Sequence, residues 1–200
     1  MWNFLIDWLS ANYIELCGAL LGLAYIVFST RQHILTWPTG MATSLLYAVV
    51  FFHSRFYAGM GLQVYYVVMS IYGWYYWLKG KRQASSDELP VTRITPGQTA
   101  ASAIIFLVCF AGLFVFLYSY TDSPVPVLDS VTTSFSIIAT WLLARKVLEN
   151  WLIWIVSDLV SSGLYIYKSL WPTTILFLVY TALAVYGYVS WKRSIKKTVK

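Results

Sequence analysis

The sequence predicts an all-α membrane protein of seven transmembrane helices arranged as a 3+1+3 parallel repeat. Three observations predict it. The 200-residue chain is 59% hydrophobic and 18% aromatic but only 11% charged, with a mean hydropathy of +0.65, whereas a soluble domain is about 25% charged. Seven apolar runs approach the roughly 20 residues that a hydrocarbon core of about 30 Å requires of a helix. The chain also matches itself at an offset of 114 residues. Barrel strands would be about 9–11 residues long with alternating polarity, and nothing alternates over the length of a span here.

The runs fall at 12–30, 34–52, 57–78, 98–119, 127–145, 149–168 and 171–191. The N-terminal "MWNFLIDWLSANYIE" lacks the basic region and small-residue cleavage site of a secretory signal, so the first span is expected to be retained. Gly18 and Gly22 in span one, Gly73 in span three and Gly187 in span seven read as close-packing positions. After span three comes "KGKRQASSDELPVTRITPG", Lys79 to Gly97, charged and punctuated by Pro90 and Pro96, which reads as a solvated linker. Span four joins two halves, so residues 1–200 form one membrane domain: repeat one at about 12–78, a linker helix at about 98–119 and repeat two at about 127–191. Trp2, Trp8, Trp37, Trp77, Trp171 and Trp191 lie near span ends, where tryptophan ordinarily anchors at the interface.

A formal charge of +6 would suggest nucleic acid in a soluble chain, but here it reports orientation, and no nucleic-acid partner is expected. Arg31, Lys79, Lys81, Arg82, Arg93, Arg145, Lys146, Lys192, Arg193, Lys196, Lys197 and Lys200 follow the odd-numbered spans; only Arg55 and Lys168 lie on the other side. The positive-inside rule then puts the N-terminus outside and the C-terminus in the cytoplasm. Cys17 and Cys109 sit in apolar runs and suggest neither a disulfide framework nor a metal site. His33 and His53 have no companion ligands, so no metal or cofactor is expected.

The offset of 114 residues places Arg31 on Arg145, Trp37 on Trp151, Leu45 on Leu159, Leu62 on Leu176, Tyr66 on Tyr180, Tyr72 on Tyr186, Gly73 on Gly187 and Trp77 on Trp191. Because the shift is four spans, both halves run the same way through the membrane. Parallel repeats of this kind are a transporter plan, with the substrate near the midplane.

Asp158 lies at the middle of span six, and its repeat mate Ser44 lies near the middle of span two. A central aspartate costs roughly 2.5–3.5 kcal/mol on insertion scales, so it should face the bundle interior. Trp151, Trp154 and Asp158 share a helix face, extended by Ser161, Ser162 and Tyr165. Span three offers Gln63, Tyr66, Ser70 and Trp74 or Trp77, and span two Trp37, Ser44, Tyr47 and Phe51. Together they would make an aromatic box with an amide and a carboxylate, suited to a flat cationic ring. An enzyme would want a nucleophile with a base or a metal cluster; no HExxH, GxSxG or paired intramembrane carboxylates occur. A seven-helix receptor that binds without transport is the rival from another class.

At "GLQVYYVVMSIYGWYYW" and "ENWLIWIVSDLVSSGLYIYKSL" the chain resembles the PnuC family of bacterial vitamin transporters, over about residues 12 to 191. The resemblance implies a fold like that of SWEET transporters. It also implies facilitated diffusion across the inner membrane of an unphosphorylated vitamin, usually nicotinamide riboside. A cytoplasmic vitamin kinase then traps the vitamin. By that similarity Gln63, Trp151, Trp154 and Asp158 line the substrate site, with Asn150 and Ser70 beside them. One position departs: Asp158 stands where nicotinamide riboside members are expected to carry Asn. Asn donates and accepts, whereas a carboxylate only accepts, which brings thiamine close behind nicotinamide riboside; riboflavin-carrying relatives share the fold. The lipid bilayer is the other partner, and a homo-oligomer is left open.

Overall fold

The computed structural model of the chain describes residues 17–53, 57–83, 89–121, 123–167, 169 and 171–198. They form seven helices: α1, Cys17–Thr30; α2, Thr36–His53; α3, Tyr57–Gln83; α4, Pro96–Tyr120; α5, Pro126–Ala144; α6, Asn150–Tyr167; and α7, Trp171–Thr198. Among the described residues the β-type pairing is one isolated parallel bridge, Thr92 to Val147. The all-helical fold is as the apolar runs predict. Pro96–Tyr120, Pro126–Ala144 and Thr173–Ile195 are long and apolar enough to cross a bilayer on length and composition alone. Two helices overrun their expected spans. α3 has 27 residues and α7 has 28, about 40 Å each at about 1.5 Å per residue. The polar sequence from Lys79 to Gln83 is therefore helix, not the solvated linker that its composition suggested.

Local chemistry accounts for the helix ends. Thr95 and Gln98 form a reciprocal capping box ahead of α4, with Pro96 in its first turn. Pro126 opens α5, and the Ser123 hydroxyl donates to Asp129 at 2.6 Å. Inside the helices, hydroxyls donate to the carbonyl one turn back, as from Ser134 to Ser130 at 2.7 Å and Thr140 to Ser136 at 2.8 Å. A helix in lipid can thus carry hydroxyl groups without leaving them unpaired.

The α1–α2 and α5–α6 corners are built alike, at the 114-residue offset of the sequence match. Gln32 and Lys146 both take a left-handed backbone, with φ of 57° and 53°. In the first corner His33 N–H donates to Phe28 O and Gln32 N–H to Ser29 O; in the second Val147 N–H donates to Leu142 O and Lys146 N–H to Leu143 O. This is the paired hydrogen-bond pattern of a Schellman cap. Thr36 then donates its hydroxyl to His33 O at 2.7 Å, and Asn150 its amide to Val147 O at 2.7 Å.

The chain divides into two compact units, Met1–Lys79 and Gly80–Lys200. In the first, α2 turns Thr36, Trp37, Gly40 and Ser44 inward and leaves Leu45, Val49 and Phe52 exposed. In the second, α6 packs most extensively on α7 and also on α5, and α4 packs against α5. α4 is peripheral: Leu117 is its one buried residue, while Ile104, Leu107, Val108 and Val115 are exposed. It meets α5 through Phe106 and Phe135, ring centroids 5.0 Å apart.

Residues 89–94 depart furthest from the expectation of a solvated linker. Val91 is buried, and Ile94 packs against the cluster of Ile138, Leu142 and Val147. Charge dominates the composition of the longer stretch from Lys79 to Gly97, but within it Val91 is buried and Ile94 finds a core to cover.

Candidate functional site

α6 presents two chemically distinct faces. Leu152, Val156, Leu159 and Ile166 are exposed, while Asn150, Trp151, Ser157, Asp158, Ser161 and Ser162 are buried. The i, i+3, i+7 spacing read from the sequence is thus an inward face. Asp158 is only 6% exposed, and among the described residues no hydrogen bond or ion pair reaches its carboxylate. The hydrogen bond that Ser162 makes to residue 158 goes to the backbone carbonyl. At the N-terminal end of the same face the Asn150 Oδ1 and the Trp151 indole N–H are buried without partners. Buried polar atoms normally find one, and three unpaired groups on one helix face make that face the candidate site.

The aromatic residues divide into two roles. Trp151 is 3% exposed, meets Trp191 edge-on at 5.6 Å and 86°, and lies on Gly187, where an added Cβ would come within 2.7 Å of the indole. One face of its ring is therefore taken by α7. Trp37 does the same in the first unit: it meets Trp77 edge-on at 5.2 Å and 87° and lies on Gly73. Its indole N–H is also buried without a partner. Trp37, Trp77 and Trp191 are each 4% exposed or less, so they are packing wedges and not the interfacial anchors that their places near span ends suggested. Trp171 is exposed, and Trp2 and Trp8 lie outside the described residues. Trp154 differs from Trp151: it is half-buried, and among the described residues no ring contact engages it.

The remaining expected residues belong to the first unit. Ser44 is 4% and Ser70 5% exposed, with Ser70 facing Gly40 of α2. Tyr66 and Gln63 are half-buried on α3, and among the described residues no hydrogen bond reaches the Gln63 amide. Sequence reasoning missed Ser157, Lys146 and Glu149. Lys146, counted by its charge as a loop cation, is 1% exposed and donates to Leu89 O at 2.8 Å. The apolar pair Val91 and Ile94 was the available signal that the linker folds onto something.

Comparison with known proteins agrees with this architecture. A sequence model of the nicotinamide mononucleotide transporter family matches residues 12–193. The chain is 26% identical to the nicotinamide riboside transporter PnuC of Escherichia coli (strain K12), over 93% of this chain and 87% of that one. It is 28% identical to the riboflavin/roseoflavin transporter RibM of Streptomyces davaonensis, over 88% and 83%. The crystal structure of the vitamin B3 transporter PnuC shares the fold, with a TM-score of 0.75 at 23% identity, covering 98% of this chain and 87% of that one. With its family match spanning nearly all seven helices, the chain belongs to the nicotinamide mononucleotide transporter (PnuC) family, a family of membrane transporters and not of enzymes.

Proposed function

We propose that the protein carries an unphosphorylated cationic vitamin, nicotinamide riboside first, across the bacterial inner membrane by alternating access, with cytoplasmic phosphorylation trapping the product. The observation that carries this reading is the Asp158 carboxylate, buried on α6 and unpartnered among the described residues. An unpaired buried charge is costly, and a cationic ring with an amino donor offsets that cost while a neutral one does not. Trp154 supplies the stacking ring, because no other ring engages it among the described residues and cation–π contact contributes about 0.5–2 kcal/mol. Trp151 acts as the wedge that seats α6, with its N–H and the Asn150 Oδ1 as further ligand groups. In the first unit Gln63, Ser70, Tyr66, Ser44 and Trp37 remain candidate ligand residues on the sequence pattern and the family resemblance alone. The 3+1+3 repeat and the orientation, N-terminus outside and C-terminus inside, belong to the same reading.

Similarity to a riboflavin transporter favours a second substrate, and the carboxylate favours thiamine. Calorimetric titration of the purified protein with nicotinamide riboside, thiamine and riboflavin decides among them. Tight binding of riboflavin alone would overturn the cationic reading. Binding with no uptake into liposomes would leave a receptor. Trp154→Ala is expected to weaken nicotinamide riboside about tenfold, roughly 1.4 kcal/mol; unchanged affinity would return the stacking role to Trp151.

Transport is expected to be passive. Among the described residues Asp158 is the one acidic side chain in the buried class, so no second buried carboxylate among them stands ready to bind a coupling ion. In liposomes without kinase, nicotinamide riboside should equilibrate across the membrane whatever the sodium or proton gradient. Accumulation above the outside concentration would refute this.

A further inference from the structure

We propose that residues 89–94 are a strap that fixes the α5–α6 corner, making Lys146 and Glu149 positioning residues for α6. This rests on the reading that α6 carries the vitamin. Five contacts within the second unit build the strap. Lys146 Nζ donates to Leu89 O at 2.8 Å. Thr92 N–H donates to Lys146 O and Leu148 N–H to Thr92 O, each at 2.9 Å. Ile94 N–H donates to Glu149 Oε2 at 2.8 Å, and Arg93 lies 3.8 Å from Glu149 Oε1. Ile94 adds apolar cover over Ile138, Leu142 and Val147, and Val91 is buried beside it in the chain.

The placement gives the strap its consequence. Glu149 is the residue immediately before α6, which begins at Asn150 and continues into Trp151 and the Asp158 face. The corner turns on Lys146, whose φ of 53° a residue with a Cβ adopts only when its surroundings hold it there. A lysine buried to 1% exposure needs its ammonium satisfied, and the Leu89 carbonyl does so only while the strap is docked. The α3–α4 connection is thereby part of the mount of the substrate helix. A rigid mount affects how fast the protein cycles more than how tightly it holds ligand, because Lys146 and Glu149 precede α6 and the ligand groups of that helix lie further along it.

The test uses the full-length protein with nicotinamide riboside. Glu149→Ala and Lys146→Met are expected to slow uptake into liposomes about fivefold or more, as perturbed conformational steps do, with calorimetric affinity within about twofold of the parent. Glu149→Gln keeps an acceptor for Ile94 N–H and should restore most of the rate. Thr92→Cys with Val147→Cys, the paired positions of the bridge, in a background with Cys17 and Cys109 replaced by alanine, should transport equally well oxidised and reduced. Uptake lost on oxidation would show that the strap must open and overturn its role as a fixed mount; unchanged uptake in both single variants would overturn it too. Amide exchange separates this from the functional reading. Thr92, Ile94 and Leu148 should exchange slowly in the parent protein and faster in Glu149→Ala, whichever vitamin binds. Fast exchange in the parent would overturn the strap, whereas slow exchange with no vitamin bound would fail the functional reading alone.

Discussion

Asp158→Ala is expected to lower affinity for nicotinamide riboside by about 10- to 100-fold, while the melting temperature in detergent stays level or rises. The two halves of this expectation come from one observation. A hydrogen bond to a charged partner is worth about 1.5–3 kcal/mol, which at about 1.4 kcal/mol per decade gives the stated loss. Asp158 is a 6% exposed residue whose carboxylate has no partner among the described residues, so removing it relieves an unpaired polar group in a largely buried place. Lost function with retained or improved stability is the signature of a residue kept for a ligand. A structural aspartate would behave in the opposite way, with stability falling and affinity following only as the fold fails. Asp158→Asn refines the result. It keeps an acceptor, adds a donor and removes the charge. Nicotinamide riboside binding that survives in Asn but not in Ala would make the hydrogen bond the essential element. Loss in both would make it the charge, and unchanged affinity in Ala would return Asp158 to packing.

The fold was legible because apolar runs of span length have one stable outcome in a bilayer, a helix. The face of α6 was legible for a similar reason, since Asp158 has to turn inward and its helical neighbours at i−7 and i−4 turn with it. What composition obscured was non-local. Val91 and Ile94 belong to a stretch of Lys, Arg, Ser, Glu and Pro, and only the corner at 145–149, some fifty residues further on, reveals what the segment around them is tied to. Lys146 reads as a loop cation because a count of charges does not register that its stem is buried. Trp37, Trp77 and Trp191 read as interfacial anchors because tryptophans near span ends usually are. The correcting signal was in the sequence as well. Trp37, Gly73 and Trp77 match Trp151, Gly187 and Trp191 in one register, and a tryptophan pair repeated with the same glycine is a packing unit, since an interfacial ring needs no glycine beneath it.

Gly187→Ala is therefore expected to destabilise the protein by about 1–3 kcal/mol, the usual range for an overpacked site, lowering the melting temperature by roughly 3–10 °C. Two effects oppose each other here. Alanine in a helix interior is better than glycine by about 0.8–1.0 kcal/mol, but its Cβ would lie 2.7 Å from three atoms of the Trp151 indole. The ring has little room to retreat, because Trp191 meets it edge-on at 5.6 Å and both tryptophans are 3% exposed or less. The strain is instead passed to α6, so affinity for nicotinamide riboside should fall along with stability, in contrast to Asp158→Ala. Gly163 supplies the control on the same helix as Trp151. An added Cβ there meets nothing within 4 Å, so Gly163→Ala should leave affinity unchanged and hold or raise the melting temperature by helix propensity alone. If Gly187→Ala melts with Gly163→Ala and binds as the parent does, Trp151 has a rotamer free of Gly187, and the indole that seats α6 on α7 is not the wedge its burial describes.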